Sequence, residues 1–169
     1  MFIHEMFQQK PCVFSVEVFP PKKAGAAEET LYPVLRELCT LGPDYISVTY
    51  GAGGGTAGQS TAKIASYIKN GLHVEALAHL TCVNSTRVQV EETLTRLRED
   101  NVENVLALRG DINPDLPRRM DFLHASDLAK AIAQTGGFGV AGACYPEGHV
   151  ESPSLKADVE SLRYKAEAG

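Results

Sequence analysis

The chain has 169 residues, 44% of them hydrophobic and 22% charged, which is enough to bury one core of ordinary composition. Its 16 basic and 21 acidic residues give a formal net charge of -5, which argues against nucleic acid or an anionic membrane as the main partner. We find no secretory signal and no apolar run near the ~20 residues of a membrane span.

Cysteine usage indicates a reducing compartment. Cys12, Cys39, Cys82 and Cys144 are widely spaced and form no CxxC pair, which speaks against a zinc ribbon or a thioredoxin-type motif. We therefore expect free thiols and a cytoplasmic protein.

Five apolar runs, recurring about every 30 residues as in βα units, predict five β-strands. They cover residues 12–18, 44–50, 76–83, 104–111 and 139–145. Amphipathic segments between and after them predict helices, and Pro33 suggests that the first of these helices begins late, because proline suits a first turn. Strands alternating with helices indicate a parallel sheet.

The alternation of side chains along the strands separates a barrel from a doubly wound sheet. One predicted face is small and polar, and the other is apolar, as a single layer of helices requires. The polar face carries Ser15, Glu17, Ser47, Thr49, His79, Thr81, Ala107 and Arg109, and the apolar face carries Val16, Val18, Ile46, Val48, Leu80, Cys82, Leu106 and Leu108. The pattern favours a (β/α) TIM barrel.

A (β/α)8 barrel needs eight units and roughly 250 residues. We expect residues 1–169 to form a single catalytic-barrel domain that carries the first five βα units and lacks strands six to eight. An open sheet edge invites pairing with another chain, so we also expect a homo-oligomer.

Chemically capable side chains follow the strands, where barrel enzymes place their sites. Glu17 has apolar neighbours, which favour its protonated form and suit a general acid. The alternative is a structural carboxylate paired with an arginine or a lysine. Arg109 and Asp111 fit a site or a structural ion pair. Tyr145 fits stacking on a planar ring or a cap on the core.

Two further patterns resemble ligand-binding motifs, one for a dinucleotide and one for a metal ion. Gly53, Gly55 and Gly58 spell GxGxxG, which fits a dinucleotide-binding loop or a loop that lets the backbone approach a ligand closely. The acidic residue expected at the end of the following strand is missing. His79 and Cys82 have the spacing of a metal pair but should face opposite sides of a strand, so we predict no metal site.

Six segments, in order, resemble the methylenetetrahydrofolate reductase family. They are 14–21 (FSVEVFPP), 46–54 (ISVTYGAGG), 78–82 (AHLTC), 106–111 (LALRGD), 124–128 (HASDL) and 144–149 (CYPEGH). The resemblance implies a (β/α)8 barrel with FAD at the carboxyl ends of its strands. NADH or NADPH would reduce the flavin, which would then reduce 5,10-methylenetetrahydrofolate to 5-methyltetrahydrofolate.

The resemblance also implies roles for residues. Glu17 would be the general acid that helps open the folate ring, and Asp111 would lie near flavin and pterin. Cofactor contacts would come from Thr49, Tyr50, Ala52, His79, Arg109, Gly110, Asp111, Ala125, Tyr145, His149, Asp158, Ser161 and Lys165. Without the later strands, we expect little activity from the chain alone. A non-catalytic half-barrel and another dinucleotide-binding α/β protein are the alternatives.

Overall fold

The computed structural model describes residues 1–21, 23, 25–50, 55–112 and 119–169, without the side chains of 55–57. In these ranges five strands alternate with helices, and a π-helical turn, Tyr67–Gly71, extends the third helix. The elements are α1 (Ile3–Gln9), β1 (Ser15–Val18), α2 (Ala27–Cys39), β2 (Tyr45–Val48), α3 (Gly55–Ser66), β3 (Glu75–Thr81), α4 (Arg87–Glu99), β4 (Asn104–Leu108), α5 (Ala125–Thr135), β5 (Gly139–Gly142) and α6 (Leu155–Ala168).

The five strands form one parallel sheet in the order β1-β2-β3-β4-β5. Each strand pairs with the next one along the chain, so every crossover proceeds in the same direction and the connecting helices cover one face. A doubly wound dinucleotide-binding sheet instead reverses direction partway through. The sheet is therefore compatible with part of a (β/α) barrel, and its order contradicts the Rossmann alternative.

The register of the sheet is staggered. A row of paired residues starts at Glu17, the third residue of β1, passes through Ser47 and Leu77, and reaches Asn104 and Gly139, the first residues of β4 and β5. Closing a sheet into a barrel requires strands to tilt and the register to shift in this way.

The core lies between the helices and the apolar face of the sheet. Ile46 and Leu80 from the strands are almost fully buried with Leu35, Leu94 and Ile132 from the helices. Burying each such side chain stabilises the fold by about 1.5–3 kcal/mol. Within the described ranges, each helix is too short or too polar to cross a membrane.

The predicted faces of Leu106, Ala107 and Leu108 in β4 were wrong. Ala107 lies in the core, paired in register with Leu80, whereas Leu106 pairs with His79 on the opposite face. The sequence Leu-Ala-Leu contains no polar side chain to mark a face, and alanine suits the close approach of a helix to the sheet. The alternation alone therefore could not set the phase of this strand.

The late start predicted for the first connecting helix was also wrong. Helix α2 begins at Ala27, and Pro33 lies inside it. Proline removes one backbone hydrogen bond, but Tyr32 and Leu35 are buried beside it, and their packing holds the helix against the sheet.

The N-terminal segment is fastened at the amino ends of the strands by Asn104, which is only 2% exposed. Its Oδ1 accepts a hydrogen bond from the Ile3 amide at 2.9 Å, and its Nδ2 donates to the Met1 carbonyl at 3.1 Å. A Cβ at Gly139 would lie 2.8 Å from Oδ1 of Asn104, so glycine there keeps room for this anchor.

We expect Asn104→Ala to lower the free energy of unfolding by about 1–3 kcal/mol, because the Ile3 amide and the Met1 carbonyl lose their buried partner. Urea unfolding measures the change, and faster amide exchange in α1 would locate it. Gln8→Ala, on the exposed side of α1, is the control and should change little. Equal effects of the two substitutions would contradict the anchoring role.

Candidate active site

A cleft of about 1590 Å³ opens at the carboxyl ends of β2, β3, β4 and β5, with α6 on one side. It is larger than the ~300–1,000 Å³ pockets that hold drug-sized ligands. Every cofactor residue predicted from the sequence that the structure describes lines this cleft: Thr49, Tyr50, His79, Arg109, Gly110, Asp111, Ala125, Tyr145, His149, Asp158, Ser161 and Lys165. Ala52 lies outside the described residues.

Glu17 is joined to the cleft through Ser47 and His79. The Ser47 hydroxyl donates to Oε2 of Glu17 at 3.3 Å and lies 2.6 Å from Nε2 of His79. Half of the Glu17 side chain is exposed, so its desolvation is less complete than its apolar neighbours suggested. Burial lowers the pKa of His79 below its usual value, and the nearby Glu17 carboxylate partly opposes this effect.

At the end of β4, Arg109 pairs with a residue that the sequence did not single out. Its Nη1 lies 2.6 Å from Oε2 of Glu151, in the loop before α6. This hydrogen bond raises the pKa of the Arg109 guanidinium further. The salt bridge ties the loop after β5 to β4 across the cleft, so Arg109 has a structural contact as well as a place in the cleft wall.

Gly110 explains how β4 ends. Its φ is +84°, and an added Cβ would lie 3.0 Å from the Cβ of Thr81. Only glycine combines this left-handed backbone with such close packing. The turn leaves Asp111 exposed on the rim of the cleft.

The loop after β5 and helix α6 form the opposite wall. The rings of Tyr145 and His149 meet edge to face, with centroids 4.9 Å apart. The His149 amide donates to Oδ2 of Asp158 at 2.7 Å, and Nζ of Lys165 donates to the Ala143 carbonyl at 2.8 Å. These bonds place an ammonium group and two rings on the same wall.

Gly58, the last glycine of the GxGxxG pattern, lies in α3 rather than in a loop, and it has a packing role. A Cβ at Gly58 would lie 3.0 Å from the Tyr50 hydroxyl oxygen, so glycine lets Tyr50 pack against α3. Burial raises the pKa of Tyr50, against a smaller lowering by its hydrogen bond with Ser85. Gly53 lies outside the described residues.

His79 and Cys82 lie on opposite faces of the sheet. The Cys82 side chain is buried in the core, where burial raises the pKa of its thiol to about 11, and its Sγ lies 3.7 Å from the His124 carbonyl oxygen. Among the described residues, no three His, Cys, Asp or Glu side chains cluster as metal ligands.

The sequentially wound parallel sheet, with polar side chains gathered at its carboxyl ends, defines an α/β protein whose geometry suits a barrel-type active site. The chain belongs to the methylenetetrahydrofolate reductase family, whose sequence profile, described as "Methylenetetrahydrofolate reductase", matches residues 2–169. This match confirms the resemblance of the six segments.

Curated relatives agree. Identity is 37% over 155 residues with the 5,10-methylenetetrahydrofolate reductase of Pectobacterium carotovorum subsp. carotovorum, and 34% over 155 residues with that of Escherichia coli (strain K12); each alignment covers 92% of this chain and 51% of the relative. It is 35% over 182 residues with Methylenetetrahydrofolate reductase (NADH) 1 of Arabidopsis thaliana, covering 99% of this chain and 30% of the relative. The chain thus spans about half the length of the bacterial relatives.

The depressed pKa of His79 predicts a pH dependence of stability. The unfolded chain binds a proton at this histidine at a higher pH than the folded chain does. We therefore expect the free energy of unfolding to fall as the pH drops below about 6.5, until the folded form is also protonated.

Urea unfolding between about pH 5 and pH 8 measures this dependence. His79→Gln should flatten it, whereas His4→Gln, at an exposed position on α1, should not. An unchanged slope for His79→Gln would show that this histidine is not held neutral by its surroundings.

Proposed function

We propose that this chain is part of a (β/α)8-barrel flavoenzyme of one-carbon metabolism that reduces 5,10-methylenetetrahydrofolate to 5-methyltetrahydrofolate. FAD would be its cofactor, and NADH or NADPH its reductant. One observation carries the proposal: residues from six separated sequence segments that resemble the family lie at the carboxyl ends of one parallel sheet, and their described cofactor candidates line one cleft.

The chemistry of the cleft fits a flavin dinucleotide. Ala125 opens α5, whose first amides suit a pyrophosphate, and Lys165 offers a cation on the opposite wall. Tyr145 and His149 provide rings for planar groups. The close packing of Gly110 keeps side-chain bulk out of the floor between β3 and β4.

The proposed catalytic roles of Glu17 and Asp111 differ because the two residues lie at different places around the cleft. When bound, FAD supplies the hydride for the substrate. Glu17 donates a proton to a ring nitrogen of the folate, which opens the five-membered ring, and its half-exposed side chain leaves room for the substrate to reach it. Asp111, exposed on the rim, orients the folate and influences the flavin electrostatically.

Three further observations support the proposed reductant, compartment and oligomeric state. The name of a relative from Arabidopsis thaliana, Methylenetetrahydrofolate reductase (NADH) 1, contains NADH, which supports a nicotinamide dinucleotide as reductant here. All four cysteines are free thiols, in keeping with the cytoplasm. Phe14 and Phe19 are exposed beside the edge strand β1, which supports a homo-oligomer, and light scattering would measure its mass.

Reversing the charge at Lys165 tests the cofactor assignment. We expect Lys165→Glu to weaken FAD binding at least about tenfold, because a charge-assisted hydrogen bond becomes a repulsion. Flavin fluorescence and visible absorbance during titration measure the affinity.

The matched control is Lys156→Glu, which makes the same charge change at an exposed position on α6. It should bind FAD as the unsubstituted chain does. Equal weakening by both variants would point to a general charge effect, and no saturable binding by the unsubstituted chain would count against a cofactor site built from these five strands.

A further inference from the structure

Ser47 lies between two residues of the proposed site, although the proposed function gives it no role. Its side chain is buried, and its hydroxyl contacts both Nε2 of His79 and Oε2 of Glu17. We propose that Ser47 is a positioning residue that couples the ring tautomer of His79 to the charge of Glu17, and so returns protons to Glu17.

The geometry makes Ser47 the bridge. Glu17 Oε2 and His79 Nε2 are 3.5 Å apart, which is long for a hydrogen bond, whereas the Ser47 hydroxyl lies closer to each of them. In register, Ser47 pairs with Leu77, and His79 is two residues further along β3. Side chains on strands lean along the strand direction, which makes this diagonal contact possible.

Counting donors fixes the direction of the hydrogen bonds. A serine hydroxyl has one hydrogen, and a carboxylate only accepts. When Glu17 is ionised, Ser47 donates to it, and the remaining contact must be donated by Nε2–H of His79. When Glu17 carries a proton, it can donate to Ser47, whose hydrogen then points to Nε2, and the ring proton lies on Nδ1.

The same hydrogen bonds can carry one proton from His79 through Ser47 to Glu17, with the total number of protons unchanged. Starting from a His79 imidazolium and a Glu17 carboxylate, Nε2 gives its proton to Ser47 Oγ, while Oγ gives its own hydrogen to Oε2 of Glu17. One N–H and one O–H bond break, two O–H bonds form, and a neutral imidazole and a carboxylic acid remain. Burial disfavours the imidazolium, so the transfer leaves the His79 ring in the neutral form that its surroundings favour.

The catalytic meaning of this transfer rests on the proposed function, because there Glu17 must recover its proton after each turnover. His79 lines the cleft, so solvent protons reach it from that side. The coupling itself is independent of flavin and folate, and it can be tested without them.

The test measures the ring ¹⁵N shifts of His79 at about pH 8, which lies above the usual pKa of histidine, so that the ring is neutral and its tautomers can be compared. No flavin or folate is added. We expect the Nε2–H tautomer in the unsubstituted chain. Ser47→Ala should lower the ratio of Nε2–H to Nδ1–H about fivefold, the factor of one ordinary hydrogen bond.

Ser15→Ala is the control, because Ser15 is an exposed serine on β1 two residues before Glu17. It should leave the ratio unchanged. A predominant Nδ1–H tautomer in the unsubstituted chain would overturn the proposal, and so would a ratio that Ser47→Ala does not alter.

Two further variants guard against a folding defect in Ser47→Ala. Ser47→Thr keeps the hydroxyl and should restore the ratio. Glu17→Gln changes a half-exposed side chain, so it should fold, and the loss of the carboxylate should reduce the preference for Nε2–H. An unchanged ratio in Glu17→Gln would contradict the coupling. Failure of FAD to bind would count against the proposed cofactor site but not against this bridge.

Discussion

Burial of one face of a sequentially wound parallel sheet is the constraint on which the rest of this structure depends. Ile46 and Leu80 pack beneath Leu35, Leu94 and Ile132, so polar side chains at alternate strand positions must lie on the other face. Parallel pairing brings the ends of the strands together at one edge. Because hydrophobic burial fixes which face of the sheet meets the helices, carboxyl, imidazole and hydroxyl groups on the other face are gathered around one cleft.

Much of this arrangement could be predicted because it depends on local patterns. The strands and their parallel order follow from alternation and from spacing along the chain, whereas most of the residues around the cleft were implied by the resemblance of six segments to a known family. Where the pattern was degenerate, prediction failed. Leu106, Ala107 and Leu108 are all apolar, so alternation cannot show which of them face the core. Their orientation depends on packing against α5, which the sequence does not display.

Contacts between segments were less predictable than positions. Ser47 was assigned to the polar face, but its bond to His79 depends on the stagger between β2 and β3. Glu151 gave no sequence pattern at all, because its pairing with Arg109 joins two loops 42 positions apart. Such bonds require the register and the path of a loop, which only three-dimensional structure provides. The GxGxxG pattern is the opposite case, in which a clear sequence motif does not report a ligand contact. Its last glycine, Gly58, is explained by packing against the ring of Tyr50.

The unequal surroundings of the free cysteines make this chain a natural substrate for selective chemical labelling. Cys82 is sealed in the core with a pKa of about 11 and will resist thiol reagents, whereas Cys144 is exposed and adjoins Tyr145 in the wall of the cleft. Cys12 is the other exposed thiol and belongs to the segment before β1. Once Cys12 is replaced, a fluorophore attached to Cys144 would report on molecules entering the cleft, with no new cysteine introduced.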